Sequence, residues 1–417
     1  MEKRFGDENL GPMEQALADQ MNLDEAAIPA WTIPAVESKS AAEFLQHERP
    51  RLLAEFARLM YGVIPPRPSE MSIDLTEEDP DAFGGLATRR EITIRCAHNG
   101  IGRTMHMLLY LPNARSGKVP VFFGLNFRGN HTTCFDPKVH FHQTKLYPAL
   151  EVPTRWCDMR SPVEARGEHD GRFCFEACLK RGYAVATMCY WELHPDHPHG
   201  FQDSILRMYF DENVWKSPER PSAAISAWAW GISRCIDALE TQPEIDSRKI
   251  AVHGLSRLGK TALWAGANDM RIALTISDCS GTCGAKLSHR YYGEDFSWIK
   301  LWNEHWVMPA FDAFIGKKDA TIPIDQHQLI GCIAPRLAYV TSATNDCWAD
   351  PKGEFLSAKA ASEFYKLFGM KGLEIDEFPA PGATNFGEIG YYLRRGEHNC
   401  TPENWNALLD YADKRLK

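Results

Sequence analysis

The chain has 417 residues, 44% hydrophobic and 24% charged, and its 46 basic and 55 acidic side chains leave a formal charge of −9. Such a chain can build a large core, but it lacks the basic stripe with which a nucleic-acid binder meets phosphates. No apolar run approaches the roughly 18 residues of a membrane helix, so neither nucleic acid nor membrane is expected as a partner.

The first 30 or so residues read as a weakly structured arm. Their opening, MEKRFGDENLGPMEQ, is polar and acidic, without a secretory apolar core. The expectation is a cytoplasmic protein, or a secreted or periplasmic one whose leader has been removed. From Ser40 to Tyr61, the residues Phe44, Leu45, Leu52, Leu53, Phe56, Leu59 and Met60 recur at helical spacing, and PPRP at 65–68 ends that element. REITIRCAHN and RTMHMLLYLP alternate as antiparallel strands do. Buried strands are expected at 119–126, 181–190, 248–256, 271–278 and 335–344. A sheet-packing helix is expected at 222–243, and an amphipathic helix closes the chain from Thr401. Alternating strands and helices predict a mostly parallel central sheet with helices on both faces, a three-layer α/β sandwich. Residues 71–417 read as one domain, and 1–70 as an extension whose helix packs on it.

The 12 cysteines are scattered. Cys174/Cys178 and Cys279/Cys283 lack zinc-knuckle spacing, so reduced buried thiols and no metal are expected.

The segment KIAVHGLSRLGKTALWAGAND (249–269) runs strand, tight turn, helix. Two chemistries use that arrangement. Gly254 to Thr261 spells G-x₄-G-K-[ST], a literal phosphate-binding loop, which would make the chain a nucleotide-binding protein. Against it, the loop interior Leu-Ser-Arg-Leu is bulky, whereas a phosphate cradle favours small residues. The alternative is a nucleophile elbow, in which Ser256 is lifted out of the sheet on a strained strand-to-helix turn. Gly254 supplies the small residue at Ser −2, while Leu258 replaces the usual glycine at +2 and Gly259 follows it. An elbow predicts an acid and then a histidine downstream. Asp346 follows a strand, and His398 stands in the loop before the last helix.

These residues carry a family resemblance. GLSRLGK resembles the G-C-S-R-x-G-K signature of the glucuronoyl esterases, carbohydrate esterase family 15. The likeness continues through AWAWGISRCIDAL, the segment after the serine, APRLAYVTSATNDCWADPKGEF and GEHNCTPENW, nearer the bacterial branch than the fungal one. It implies an α/β-hydrolase fold and a serine esterase that attacks esters of glucuronic or 4-O-methylglucuronic acid in lignin–carbohydrate linkages, with no cofactor. The alternative is an acetyl xylan or feruloyl-type esterase. Carried over by position, Ser256 is the nucleophile, His398 the base and Arg257 the oxyanion-hole arginine. Lys260, Trp348 and Glu294 match sugar-contacting positions. The plainer readings are surface cations for Arg257 and Lys260, loop packing for Trp348 and a solvated acid for Glu294.

Two positions depart from the family. Many members keep the triad acid where this chain has Cys279; some bacterial members use D-x-W after the next strand, which Asp346-Cys347-Trp348 fits. Asp346 is therefore expected as the acid, ahead of Asp278 and Asp350. Fungal members also bridge the residue before the serine to a cysteine near the histidine; Leu255 forbids that bridge and leaves Cys400 without it. Three other places stand out. HPDHPHG (194–200) offers His194, His197 and His199 as metal ligands, or else a polar loop near the pocket. NFRGNHT (126–132) sits where hydrolases place a second oxyanion donor, or simply turns the chain. His305, beside Trp306, is expected in the substrate-binding lining.

Overall fold

The structure, a computed structural model, describes residues 12–142, 162–316 and 318–417. Nine strands form one sheet within these residues. In chain order they are β1 (Glu70–Ala82), β2 (Ala87–His98), β3 (Ile101–Pro112), β4 (Val119–Asn126), β5 (Ala184–Cys189), β6 (Ile245–Leu255), β7 (Ile272–Asp278), β8 (Leu337–Ala343) and β9 (Ile389–Arg394). The spatial order is β1-β2-β3-β5-β4-β6-β7-β8-β9. The β1–β2, β2–β3 and β3–β5 pairings are antiparallel, and every pairing from β5 across to β9 is parallel.

The composition of each strand explains its place. VPVFFGLN in β4 and AVATMC in β5 are buried at every position, as strands covered on both faces must be. The helix Ala224–Glu240 is buried along nearly its whole length, because its Ala, Ile and Trp residues cover the sheet and meet neighbouring helices. The helices Arg257–Asn268, Pro351–Lys366 and Pro402–Arg415 pack against β6–β9. The helical run 41–61 joins the same apolar core through Phe44, Leu52, Phe56 and Tyr61. No helix is long and apolar enough to cross a membrane among the described residues.

Two elements depart from the sequence reading. Residues 12–20 are a helix, whereas a weakly structured arm was expected; residues 1–11 lie outside the described residues. Leu17, Ala18 and Met21 from this region pack against Trp298, Trp302 and Trp348, which gives the helix an apolar support. β1 was not expected as a strand: only Met71, Ile73 and Leu75 alternate as apolar residues, and the rest of this edge strand is largely acidic. Its carboxylates instead meet arginines of β2, in Arg90–Glu78 at 2.6 Å, Arg95–Asp74 and Arg89–Glu77.

Candidate active site

β6 ends at Leu255, and the next helix starts at Arg257, so Ser256 alone makes the turn. Its φ of 59° and ψ of −127° lie in a region that side chains disfavour. The turn closes because Gly254 has no Cβ: one added there would stand 1.9 Å from the Leu258 carbonyl oxygen. Gly259 answers the second steric demand, since its own Cβ would come within 2.9 Å of both the Gly254 carbonyl oxygen and Ser280 Cβ. This explains how Leu258 can occupy Ser +2. The geometry also removes the phosphate-loop reading. With one residue between strand and helix there is no loop to cradle a phosphate, and Lys260 Nζ already donates to the Ser280 carbonyl at 2.5 Å.

Ser256 lines a cleft with Asp346 and His398. Asp346 lies just past the end of β8 and is 1% exposed. His398, half-buried in the loop before the helix Pro402–Arg415, faces it with Nδ1 2.6 Å from Asp346 Oδ2. Burial alone would depress the imidazole; the Asp346 charge and hydrogen bond outweigh it, and the His398 pKa is raised above 6.5. The weaker acid candidates do other things. Asp350, at φ 54°, caps the helix Pro351–Lys366 by accepting Gly353 N–H at 2.9 Å and pairs with Arg290. Asp278 is fully buried at the end of β7, its Oδ2 3.9 Å from His253 Nε2. Neither of its oxygens accepts a nitrogen or hydroxyl donor; the thiols of Cys279 and Cys400 are its weak ones.

Arg257 and Lys260 are 3% and 4% exposed, which removes the reading as surface cations. Both line the cleft, as do Glu294 and Trp348. Burial lowers the Lys260 pKa, against the opposing pull of the Glu294 charge, and burial raises Glu294 in turn. Trp348 stacks on Trp302 at 5.9 Å with an interplanar angle of 9°, forming an aromatic wall. Arg257 donates to the buried Asp196, and its guanidinium lies 4.9 Å from the Trp306 ring centre.

His305 is a correction. It is not among the cleft-lining residues: its Nε2 points inward to Asp196 at 2.8 Å, and its neighbour Trp306 faces the cleft instead. Adjacent residues leave a short 3₁₀ turn in different directions, so of the pair His305-Trp306 that the sequence pointed to, the indole lines the cleft and the imidazole does not. Residues 126–132 are not among those that line the cleft, although the Phe127 ring lies 5.8 Å from the Arg257 guanidinium. Asn126 accepts Gly129 N–H at 2.8 Å and donates to Asn130, so the turn closes on itself. His194, His197 and His199 do not converge as ligands. The three-residue sets with ligand atoms within 4.8 Å of one another, among the described residues, are His253, Asp278 and Cys400, and Cys279, Asp346 and His398. Sequence reasoning missed Asp196 altogether; its signal was the HPDHPHG segment, read for its histidines when the aspartate is the residue that reaches the site. Leu255 is buried beside the elbow, and Cys400 is a free thiol 3.9 Å from His253.

Residues 210–369 match the family model described as glucuronyl esterase, fungi. The carbohydrate esterase MZ0003, from an unknown prokaryotic organism, is 37% identical over 403 residues, covering 95% of this chain and 92% of that one. The chain belongs to carbohydrate esterase family 15, the glucuronoyl esterases. A solved structure of a promiscuous family 15 esterase from the marine bacterial metagenome is 36% identical with a TM-score of 0.85, covering 95% of this chain and all of that one, 100%. The glucuronoyl esterase of Solibacter usitatus is 33% identical, also at a TM-score of 0.85, and covers 94% and 100%. Membership gives the sheet its name: it is the α/β-hydrolase sheet of these esterases.

Proposed function

We infer that the chain hydrolyses esters of glucuronic or 4-O-methylglucuronic acid through an acyl-enzyme on Ser256. The observation that carries the reading is the Asp346–His398 hydrogen bond in the same cleft as the elbow serine. His398 Nε2 takes the Ser256 proton as Oγ attacks the uronoyl carbonyl carbon. The Asp346 carboxylate holds Nδ1–H, fixing the tautomer and stabilising the imidazolium. Charge on the carbonyl oxygen is met by the Arg257 guanidinium and by N–H groups at the start of the helix Arg257–Asn268. His398 then gives its proton to the departing alcohol oxygen. Water, deprotonated by the same histidine, releases the uronic acid and restores Ser256. Lys260 and Glu294 offer a donor and an acceptor to the sugar hydroxyls, and Trp348 a face for the ring. In this reading residues 71–417 are the catalytic domain, and 1–70 an extension that supports its aromatic wall.

The acyl preference is tested with a panel of benzyl glucuronate, acetylated xylan, a feruloyl ester and 4-nitrophenyl acetate, with Ser256→Ala as control. Benzyl glucuronate is expected to have the highest kcat/KM. An acetyl ester in first place would move the chain to the acetyl-esterase reading. An organophosphonate adduct on Ser256, read by mass spectrometry, tests the nucleophile independently of substrate.

A further inference from the structure

The HPDHPHG loop holds a carboxylate that the chemistry above leaves unused. Asp196 is 1% exposed and accepts four donors. Its Oδ2 takes Arg257 Nη1 and Tyr190 Oη, the latter at 2.7 Å, while Oδ1 takes His305 Nε2 at 2.8 Å and Trp306 Nε1 at 2.6 Å. Two of those donors belong to residues that line the cleft, Arg257 and Trp306. Burial alone would push this carboxyl up, but the charge of Arg257 and the surrounding donors hold it well below the usual carboxylate range, so it is an anion.

The loop is built to present this residue. Pro195 and Pro198 limit its backbone. His197 N–H bonds Pro195 O at 2.7 Å, and Gly200 N–H bonds His197 O at 2.8 Å. Trp228 Nε1 donates to His194 O at 2.9 Å, which ties the loop to the helix Ala224–Glu240. That helix lets the loop approach at Gly231, where a Cβ would stand 2.2 Å from Leu193 Cδ1. His194 is buried against Trp215 and His305 and stays neutral, because burial drives its pKa far down.

We propose that Asp196 is a positioning residue for the ester hydrolysis: it aims the Arg257 guanidinium at the carbonyl oxygen and locks Trp306 beside it. An arginine side chain has several rotatable bonds, and a preorganised oxyanion donor cannot spend the transition state searching among them. One ionised carboxylate that engages both the arginine and the indole removes that freedom for two cleft walls together. The proposal rests on the role given to Arg257 above, so the experiment separates the two.

With benzyl glucuronate, Arg257→Gln is expected to lower kcat by about 100-fold, as loss of an oxyanion donor does. Asp196→Asn keeps the side-chain size but removes the charge and one acceptor. It is expected to lower kcat about 10- to 100-fold with KM changed by less than about 3-fold, since the effect lies in the transition state. In the Arg257→Gln background the same substitution costs no more than about 2-fold, because its target is already gone. Tyr190→Phe removes one donor to the oxygen that Arg257 uses; it should cost about 3- to 10-fold in kcat with the same dependence on Arg257, and serves if Asp196→Asn folds poorly. A purely structural role would give equal losses in both backgrounds and overturn the proposal, as would full kcat in Asp196→Asn or, where that variant does not fold, in Tyr190→Phe. Full kcat in Arg257→Gln would overturn the oxyanion reading itself, and this proposal with it.

Discussion

β7 and β8 are parallel neighbours, and an acid followed by a cysteine stands at the C-terminal end of each: Asp278-Cys279 at β7 and Asp346-Cys347 past β8. Only Asp346 meets the imidazole. Asp278 is still the last residue of its strand, in register with Leu255 and Thr341, so its side chain is committed to the layer between strand and helix. It ends beside His253, while its backbone carbonyl accepts Ser256 N–H at 2.8 Å and so braces the elbow. Asp346 stands beyond the last strand residue, Ala343, in a turn whose N–H bonds back to that residue at 3.1 Å. Having left the pleat, it can turn toward β9 and the loop that carries His398. Which acid meets the imidazole is thus a matter of where the sheet lets go of the chain, more than of which strand supplies it.

The comparison can be broken most sharply at Asp346. Asp346→Asn is expected to lower kcat by about 10³–10⁴, as loss of the orienting carboxylate does in serine hydrolases; a loss under about 10-fold in a kinetic assay would move the acid elsewhere. The reverse experiment places an acid at the β7 end. Cys279 lies within 4.8 Å of the Asp346 and His398 ligand atoms, so adding Cys279→Asp to Asp346→Asn should recover kcat by about 10-fold or more. Failure to recover would mean that the β7 end cannot orient this imidazole.

The pH profile separates the two acids. The His398 pKa is raised, chiefly by Asp346 against the opposing effect of burial, so the base is protonated, and kcat/KM falls, as pH drops below a midpoint above 6.5. Asp346→Asn should move that midpoint down, and an unmoved acid limb would assign it to another group. Stability has the opposite sign. A raised histidine pKa stabilises the fold fully below the unfolded value, and that contribution is lost as pH rises through the folded value. The smallest effect belongs to Asp278→Asn, which should keep kcat within about 3-fold. Its melting temperature should be unchanged or higher, because the change removes a buried carboxylate without strong donors. A 100-fold loss of activity would make Asp278 part of the machinery.

Legibility followed physical range. The elbow was readable because its demands are local: a glycine two residues before Ser256, a second small residue behind it and an apolar strand leading in. The buried strands β4 and β7 were readable because a strand covered on both faces is mostly apolar. The edge strand β1 was not, since its apolar alternation is confined to Met71, Ile73 and Leu75 and acidic residues fill much of the rest. β9 passed unnoticed because six residues, IGYYLR, make too short a signal until β8 is placed beside them.

The sequence by itself determined the order Ser256, Asp346, His398, the glycine geometry of the turn and the family to which these belong. Only the tertiary structure decided which acid reaches the histidine, that Trp306 and not His305 faces the cleft, and that Asp196 stands behind Arg257. Turn sterics and burial patterns are written within a few consecutive residues. The direction of a side chain at the end of a strand is set by neighbours about 50 or more positions away, such as the 52 positions from Asp346 to His398 and the 61 from Asp196 to Arg257, and only packing brings those together.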